Sequence, residues 1–332
     1  MRRTWVLGGI LLLLAGLWLW KDYQYFVHGQ VANSEAVVLE VNKGESVSEI
    51  SNRLHERNVI SKPLWFIAMA VQSGLATKLK YGEYEIEPFS SNRKLLDTLA
   101  SGRPRQHSVT LVEGWRFSQI LEALSSKSDL VHTLATNPVE TDVMGKLEAP
   151  GENPEGRFFP DTYFFDKGAT DIDILRRAYQ KMQRVLDAEW HNRNDGLTIS
   201  TPYEALTLAS IIEKETAQPN ERPMVAGVFQ RRLSKGMYLQ TDPTVIYGLG
   251  QAFLGDLTRE HLSSDSPYNT YTRHGLPPTP IAIPSLASIR AALHPDTGNS
   301  LYFVSKGDGS HHFSESLPLH NQAVDHFQKS RE

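Results

Sequence analysis

Thr201–Ala217 reads TPYEALTLASIIEKETA, and its composition predicts a helix buried inside a domain rather than laid on a surface. Thr201 suits an N-cap, Pro202 stands where a first helical turn tolerates proline, and Glu204 completes a capping box. Leu206, Leu208, Ala209, Ile211 and Ile212 then cover almost every side. Into the end of this apolar wall the sequence places Glu213, Lys214 and Glu215. A carboxyl group there must be paired or must hold its proton above the ordinary range, which is what a general acid needs. The plainer reading is a solvated last turn, with Arg222 or Arg231 as ion-pair partner. Spacing leaves both carboxylates open, because Glu213 shares a stripe with Leu206 and Ala209, and Glu215 with Leu208, Ile211 and Ile212.

Working outward, 332 residues suggest two domains, one larger than the other. A formal net charge of -4 and the absence of a long basic run argue against a nucleic-acid partner. There is no cysteine, so neither disulfides nor lipoprotein processing are available. At the N-terminus, 17 uncharged residues lie between Arg3 and Lys21, close to the shortest length that spans a bilayer. Arg2 and Arg3 before the run predict a cytoplasmic N-terminus with the bulk exported, and Trp5, Trp18 and Trp20 sit where interfacial aromatics belong. No small-x-small cleavage site follows, so residues 1–21 read as an uncleaved single-pass anchor in the cytoplasmic (inner) membrane, with 22–35 as connector.

Residues 36–105 predict a small module. Val37–Val41 alternate as a strand, Val47, Ile50 and Leu54 have helical spacing, a second helix spans Pro63 to about Ser73, and a strand covers Tyr81–Glu87. That order resembles a LysM module, the small domain that binds N-acetylglucosamine polymers. A helix near Asn92–Ala100 and a linker at 101–105 (SGRPR) close the unit. Residues 106–332 then form the larger mixed domain, making the whole an α+β protein. Its start echoes the first module: Val41 to Gly44 before Val47, Ile50 and Leu54 is matched by Val112 to Gly114 before Phe117, Ile120, Leu121 and Leu124. Residues 126–156 predict loop and short helix. The aromatic run 156–165 suits core or groove wall, and Asp171 to about Asn192 and Arg222–Leu233 predict further helices.

Several motifs taken in order are more specific than any one: PheProAspThrTyr (159–163), AlaSerIleIleGluLysGluThr (209–216), LeuGlnThrAspProThrValIleTyrGly (239–248), TyrAsnThrTyr (268–271), GlyLeuProProThrProIleAlaIlePro (275–284) and AlaAlaLeuHisPro (291–295). Together they resemble the MltG, or YceG-like, family of endolytic murein transglycosylases. The resemblance implies that the first glutamate of the Glu-Lys-Glu-Thr motif, Glu213, is the catalytic acid. It also implies that Gln240, Thr241, Asp242, Asn269 and Tyr271 line a glycan-binding groove. Gly309–Phe313 resembles a Gly-x-His-x-Phe motif, with either His311 or His312 turned to the site. Peptidoglycan strands, the membrane and peptidoglycan synthases are the implied partners.

Such an enzyme cuts the β-1,4 bond between N-acetylmuramic acid and N-acetylglucosamine without water, leaving a 1,6-anhydro end. One carboxyl group acts as acid and then base, so its pKa should lie near the working pH, unlike the two-carboxylate scheme of most glycosidases. A hydrolytic muramidase would need a second carboxylate, for which Asp242 and Glu155 are candidates. A non-catalytic glycan-binding scaffold would explain the anchor and module but not a carboxylate in an apolar helix. His311, His312, His320 and His326 lack metalloprotease spacing, so no metal or cofactor is expected.

Overall fold

This computed structural model describes residues 2–102, 104–134 and 140–328. Arg103, in the expected linker, and residues 135–139, in the expected loop, lie outside the described residues. The architecture is mixed α+β, in two compact units. One comprises the residues up to His107 together with Phe164–Gly168, and the other comprises Ser108–Tyr163 and the chain from Ala169 onward.

The first unit begins with α1 (Arg2–His28), a helix long and apolar enough to cross a bilayer, whose apolar side chains from Val6 to Trp20 are exposed. Its last turn is different: Phe26 and Val27 are buried among the residues of the module. The expected strand–helix–helix–strand order follows as β1 (Val37–Val41), α2 (Val47–Glu56), α3 (Pro63–Gln72) and β2 (Gly82–Ile86), with α4 (Asn92–Ser101) after it. Strands β1 and β2 pair antiparallel, Val37 opposite Ile86 and Val41 opposite Gly82. Alternation sends Leu39 and Val41 inward against Ile50 and Leu54 of α2, Phe66 and Met69 of α3, and Leu95, Leu96 and Leu99 of α4. Each such side chain withdrawn from water contributes roughly 1.5–3 kcal/mol. Ser46 and Glu49 form a reciprocal capping box at the start of α2. The segment Phe164–Gly168, read from sequence as part of the second domain, joins this unit because Lys167 reaches both Glu40 and Glu83 and Phe165 stacks on His107.

Strand β3 (His107–Thr110) pairs with β4 (Thr162–Phe165), and within the second unit the Leu111 N–H continues the ladder to the Asp161 carbonyl at 2.9 Å. Between them lie α5 (Phe117–Ser125) and α6 (Glu140–Lys146). Gly114 precedes α5 as Gly44 precedes α2, and both adopt positive φ, +77° and +83°, a conformation cheap only for glycine. After β4 come α7 (Asp171–His191), α8 (Pro202–Glu215), α9 (Arg222–Ser234), α10 (Asp242–Leu249), α11 (Arg259–Ser263) and α12 (Leu286–Leu293). The chain ends in the hairpin β5 (Tyr302–Ser305) and β6 (His311–Ser314), followed by α13 (Leu317–Phe327).

Helix α8 is the centre of this unit. Thr201 and Glu204 make the reciprocal capping box, Pro202 opens the first turn, and every residue from Ala205 to Ile212 is buried. Helices α7, α9 and α12 pack around it. The two polar side chains in that wall are satisfied: the Thr207 hydroxyl donates to the Tyr203 carbonyl at 2.9 Å, and Ser210 donates to the Thr207 carbonyl at 2.7 Å and accepts the Ile281 N–H at 3.0 Å. The aromatic run 156–165 divides: Phe158 enters the core, while Asp161 pairs with Lys181, whose ammonium also lies 4.8 Å from the centre of the Phe159 ring.

Candidate active site

The two glutamates at the end of α8 are two residues apart, so they leave the helix roughly 200° apart and meet different surroundings. Glu213 is drawn to the N-terminus of α12. Its Oε2 accepts hydrogen bonds from the Ser285 N–H at 2.9 Å, the Ser285 hydroxyl at 2.5 Å and the Ser288 hydroxyl at 2.7 Å. Arg222 stands 3.8 Å from its other oxygen. Nearby Glu113 is pushed above its ordinary pKa by burial and by the Glu213 charge. Glu213 thus ties α8 to α12 at a helix N-terminus, where backbone N–H groups favour a carboxylate.

Glu215 faces a cleft of about 570 Å³, which it lines with Arg232, Gln240, Asp242, Tyr271 and His311. Its carboxyl accepts a short hydrogen bond from the Thr241 hydroxyl. Burial drives its pKa from an ordinary 4.5 up to about 7; the Thr241 bond opposes this, and the Asp242 charge adds to it. The geometry separates the two candidates: Glu213, to which the family resemblance gives the acid role, has its oxygens committed to serines and arginine and does not line the cleft, whereas Glu215 lines it and carries the perturbed carboxyl.

The predicted groove residues separate into two groups. Gln240, Asp242 and Tyr271 line the cleft. The Tyr271 hydroxyl donates to Asp242, and burial together with that bond pushes the phenol pKa well above its ordinary value. Gln240 sits at φ +50°, a strained backbone for a residue with a side chain. It is held there by its N–H to the Thr270 carbonyl (3.1 Å) and by Arg232 at its side-chain oxygen (3.4 Å). Thr241 is buried, with its N–H on the Thr270 hydroxyl at 3.1 Å, and reaches the site only through Glu215.

Asn269 does not line the cleft. It is 1% exposed, its amide donates to the carbonyls of Ser264 (2.6 Å), Leu262 (3.1 Å) and His261 (3.3 Å), and its oxygen accepts the Tyr271 N–H at 2.9 Å. Its capacity is spent on folding the loop that presents Tyr271, so its role as a groove residue is corrected to a structural one. Glu155 is likewise occupied inside the unit, accepting the Phe117 N–H at 2.9 Å and the Tyr247 hydroxyl at 3.0 Å.

Alternation along β6 answers the histidine question. His311 lines the cleft and His312, on the opposite face, is exposed. Glu221 positions His311 twice, accepting its backbone N–H at 2.8 Å and meeting ring Nδ1 at 2.7 Å. Burial opposes the Glu221 charge, but the His311 bonds outweigh it and hold its pKa low.

Sequence reading did not single out Glu221, nor Arg232. Arg232 is buried, donating Nε–H to the Leu301 carbonyl (2.7 Å) and one terminal N–H group to the Leu239 carbonyl (2.9 Å), and burial lowers its pKa. Its position one residue from Arg231, which turns instead to the Ser300 and Asp296 carbonyls, left no local signal of which arginine faces inward.

The sequence profile of the YceG-like family matches residues 39–326. The chain belongs to the YceG-like family. It is 32% identical to a Bacillus subtilis protein named endolytic murein transglycosylase, an alignment covering 89% of this chain and 86% of that one. It is 27% identical to a Streptococcus pneumoniae protein of the same name, covering 91% of this chain and 61% of that longer protein. A crystal structure of a yceG-like protein from Listeria monocytogenes superimposes with a TM-score of 0.54 at 28% identity, covering 88% of this chain and all of the other.

Proposed function

We propose that this chain is a membrane-anchored lytic transglycosylase that cuts the MurNAc–GlcNAc bond of peptidoglycan, with Glu215 as its single acid and base. The observation that carries the reading is a half-buried carboxyl, its pKa raised to about 7, lining a polar cleft, in a family whose relatives are named for this activity. Protonated Glu215 delivers its proton to the glycosidic oxygen, and the C1–O bond breaks. The resulting carboxylate takes the proton of the muramoyl C6 hydroxyl as that oxygen closes on C1, which restores Glu215 and consumes no water. A group that must donate and then accept works best with its pKa near ambient pH. The cation of Arg232 supports the carboxylate stage, and the Thr241 hydroxyl fixes the carboxyl's orientation.

Hydrolysis by a muramidase is the second reading, because Asp242 is another carboxylate in the same cleft. Purified cell-wall glycan digested by the protein, with mass analysis of the new ends, separates the two. Ends of 1,6-anhydro form support the transglycosylase, reducing ends alone support the hydrolase, and no new ends support a non-catalytic glycan-binding scaffold.

In this reading α1 spans the cytoplasmic membrane with Arg2 and Arg3 inside. The module of residues 36–105 holds glycan in the manner of LysM, and cleavage of nascent strands beside peptidoglycan synthases ends their elongation. A periplasmic reporter fused after residue 35 should be active, and an inactive fusion would reverse the orientation.

A further inference from the structure

Helix α3 reads PLWFIAMAVQ and is apolar on nearly all sides, yet only part of it enters the core of the first unit. Phe66, Met69 and Ala70 are buried, whereas Leu64 is 78% and Val71 is 62% exposed. At 100° per residue, Leu64 and Val71 lie within about 20° of each other and about 160° from the middle of the buried face. Ile67 and Ala68, half-buried, complete the stripe between them. Leu64, Ile67, Ala68 and Val71 thus make one contiguous apolar stripe facing outward, the kind of surface that marks a protein or membrane contact.

What lies beside that face is the end of the apolar run of α1. Asp22 bonds to the Lys62 ammonium (2.5 Å) and the Trp65 indole (2.9 Å), both at the start of α3, while the Tyr23 hydroxyl donates to Gln72 at the other end of α3. Two neighbouring residues of α1 therefore hold both ends of α3, so α3 crosses α1 instead of running along it. The crossing level is within one turn of exposed Trp18 and Trp20, side chains that favour a bilayer interface. The core of the unit lies on the far side, since Phe26 and Val27, one turn further along α1, are buried in it together with Phe66 and Met69. The face of α3 opposite that core consequently points back toward the apolar run. The uncharged run is also short: 17 residues at about 1.5 Å each give about 25 Å, against a hydrocarbon thickness of about 30 Å. A span this short is accommodated in part by local thinning of the bilayer, which brings the lipid surface closer to the residues that flank the span.

We propose that α3 is an interfacial helix, with Leu64 and Val71 seated in the outer headgroup region of the membrane that α1 crosses. This rests on the anchor reading of α1. The crossing contacts and the lipid contact together hold the first unit flat on the bilayer instead of leaving it on a flexible tether.

The chain contains no cysteine, so single labels are clean. Leu64→Cys, Val71→Cys and a reference, Leu14→Cys, would each carry an environment-sensitive fluorophore in the full chain, reconstituted in phosphatidylglycerol/phosphatidylethanolamine nanodiscs. The expected result is blue-shifted emission at 64 and 71, with strong intensity loss to lipids bearing a shallow nitroxide and little loss to aqueous iodide. Iodide-quenched, unshifted labels at 64 and 71, alongside a lipid-quenched label at 14, would overturn the proposal while leaving the anchor intact. Shielding from iodide without lipid quenching would also overturn it, in favour of a protein partner on α3. Absence of quenching at 14 by lipids bearing a nitroxide deep in the acyl chain would sink the anchor reading, and this proposal with it.

Discussion

The two sides of the last turn of α8 carry the same side chain and do opposite things. On one side Glu213 meets three hydrogen-bond donors and an arginine and joins two helices. On the other, Glu215 has one hydroxyl, a neighbouring carboxylate and an open cleft. The difference teaches that a carboxylate in an apolar helix is not by itself an acid catalyst. What matters is whether its surroundings spend its oxygens on structure or leave one available with an elevated proton affinity.

The strongest way to break this contrast is Glu215→Gln. It keeps shape but removes the transferable proton, so glycan cleavage should fall by about a hundred- to ten-thousand-fold with an unchanged circular-dichroism melt at low pH. Near-normal turnover would return the acid role to Glu213. The second test is pH. Cleavage requires protonated Glu215 at the start, so turnover should decline about tenfold per unit once pH passes well above 7, in step with the raised pKa.

Stability should carry the same signature. The native state binds this proton more tightly than the unfolded chain, so the wild type loses stability as pH rises from about 4.5 through about 7. Glu215→Gln should lack that loss, and thermal melts of both proteins at pH 4.5 and 8 would show whether it does.

Glu213→Ala sharpens the contrast from the other side. It strands Ser285, Ser288 and Arg222, and leaving such buried groups unsatisfied costs about 1–3 kcal/mol or more. Urea unfolding should show that loss, while turnover per folded molecule stays close to wild type; a catalytic collapse without destabilisation would contradict it. Asn269→Ala should cost about 1–3 kcal/mol by freeing the loop that carries Tyr271, with KM rising through misplaced Tyr271. The smallest effect belongs to His312→Ala, expected within about 0.5 kcal/mol and without effect on turnover, whereas a substantial loss would mean that β6 presents the other histidine.

Much of the framework was legible in sequence because its causes are local. The capping box of Thr201 and Glu204 lies within one turn, and the burial of α8 follows from five apolar residues on its own surface. The strand–helix–helix–strand order of the first unit was readable for the same reason, as were the apolar run of α1 and the ordered motifs that mark the family.

The roles of the individual polar side chains were decided only by tertiary structure. Glu213 is claimed by serines 72 and 75 residues away, Glu215 by a threonine 26 residues away, and His311 by a glutamate 90 residues away. Helical periodicity separates the two glutamates by about 200°, but both faces of α8 are apolar, so periodicity alone does not tell which one ends in a cleft. Asn269 shows the same limit: its motif has the composition of a sugar-binding loop, and only the arrival of three backbone carbonyls turns it inward. A carboxylate's proton affinity and an amide's free donors are properties of what packs around them, and that packing exists only once distant segments of the chain have met.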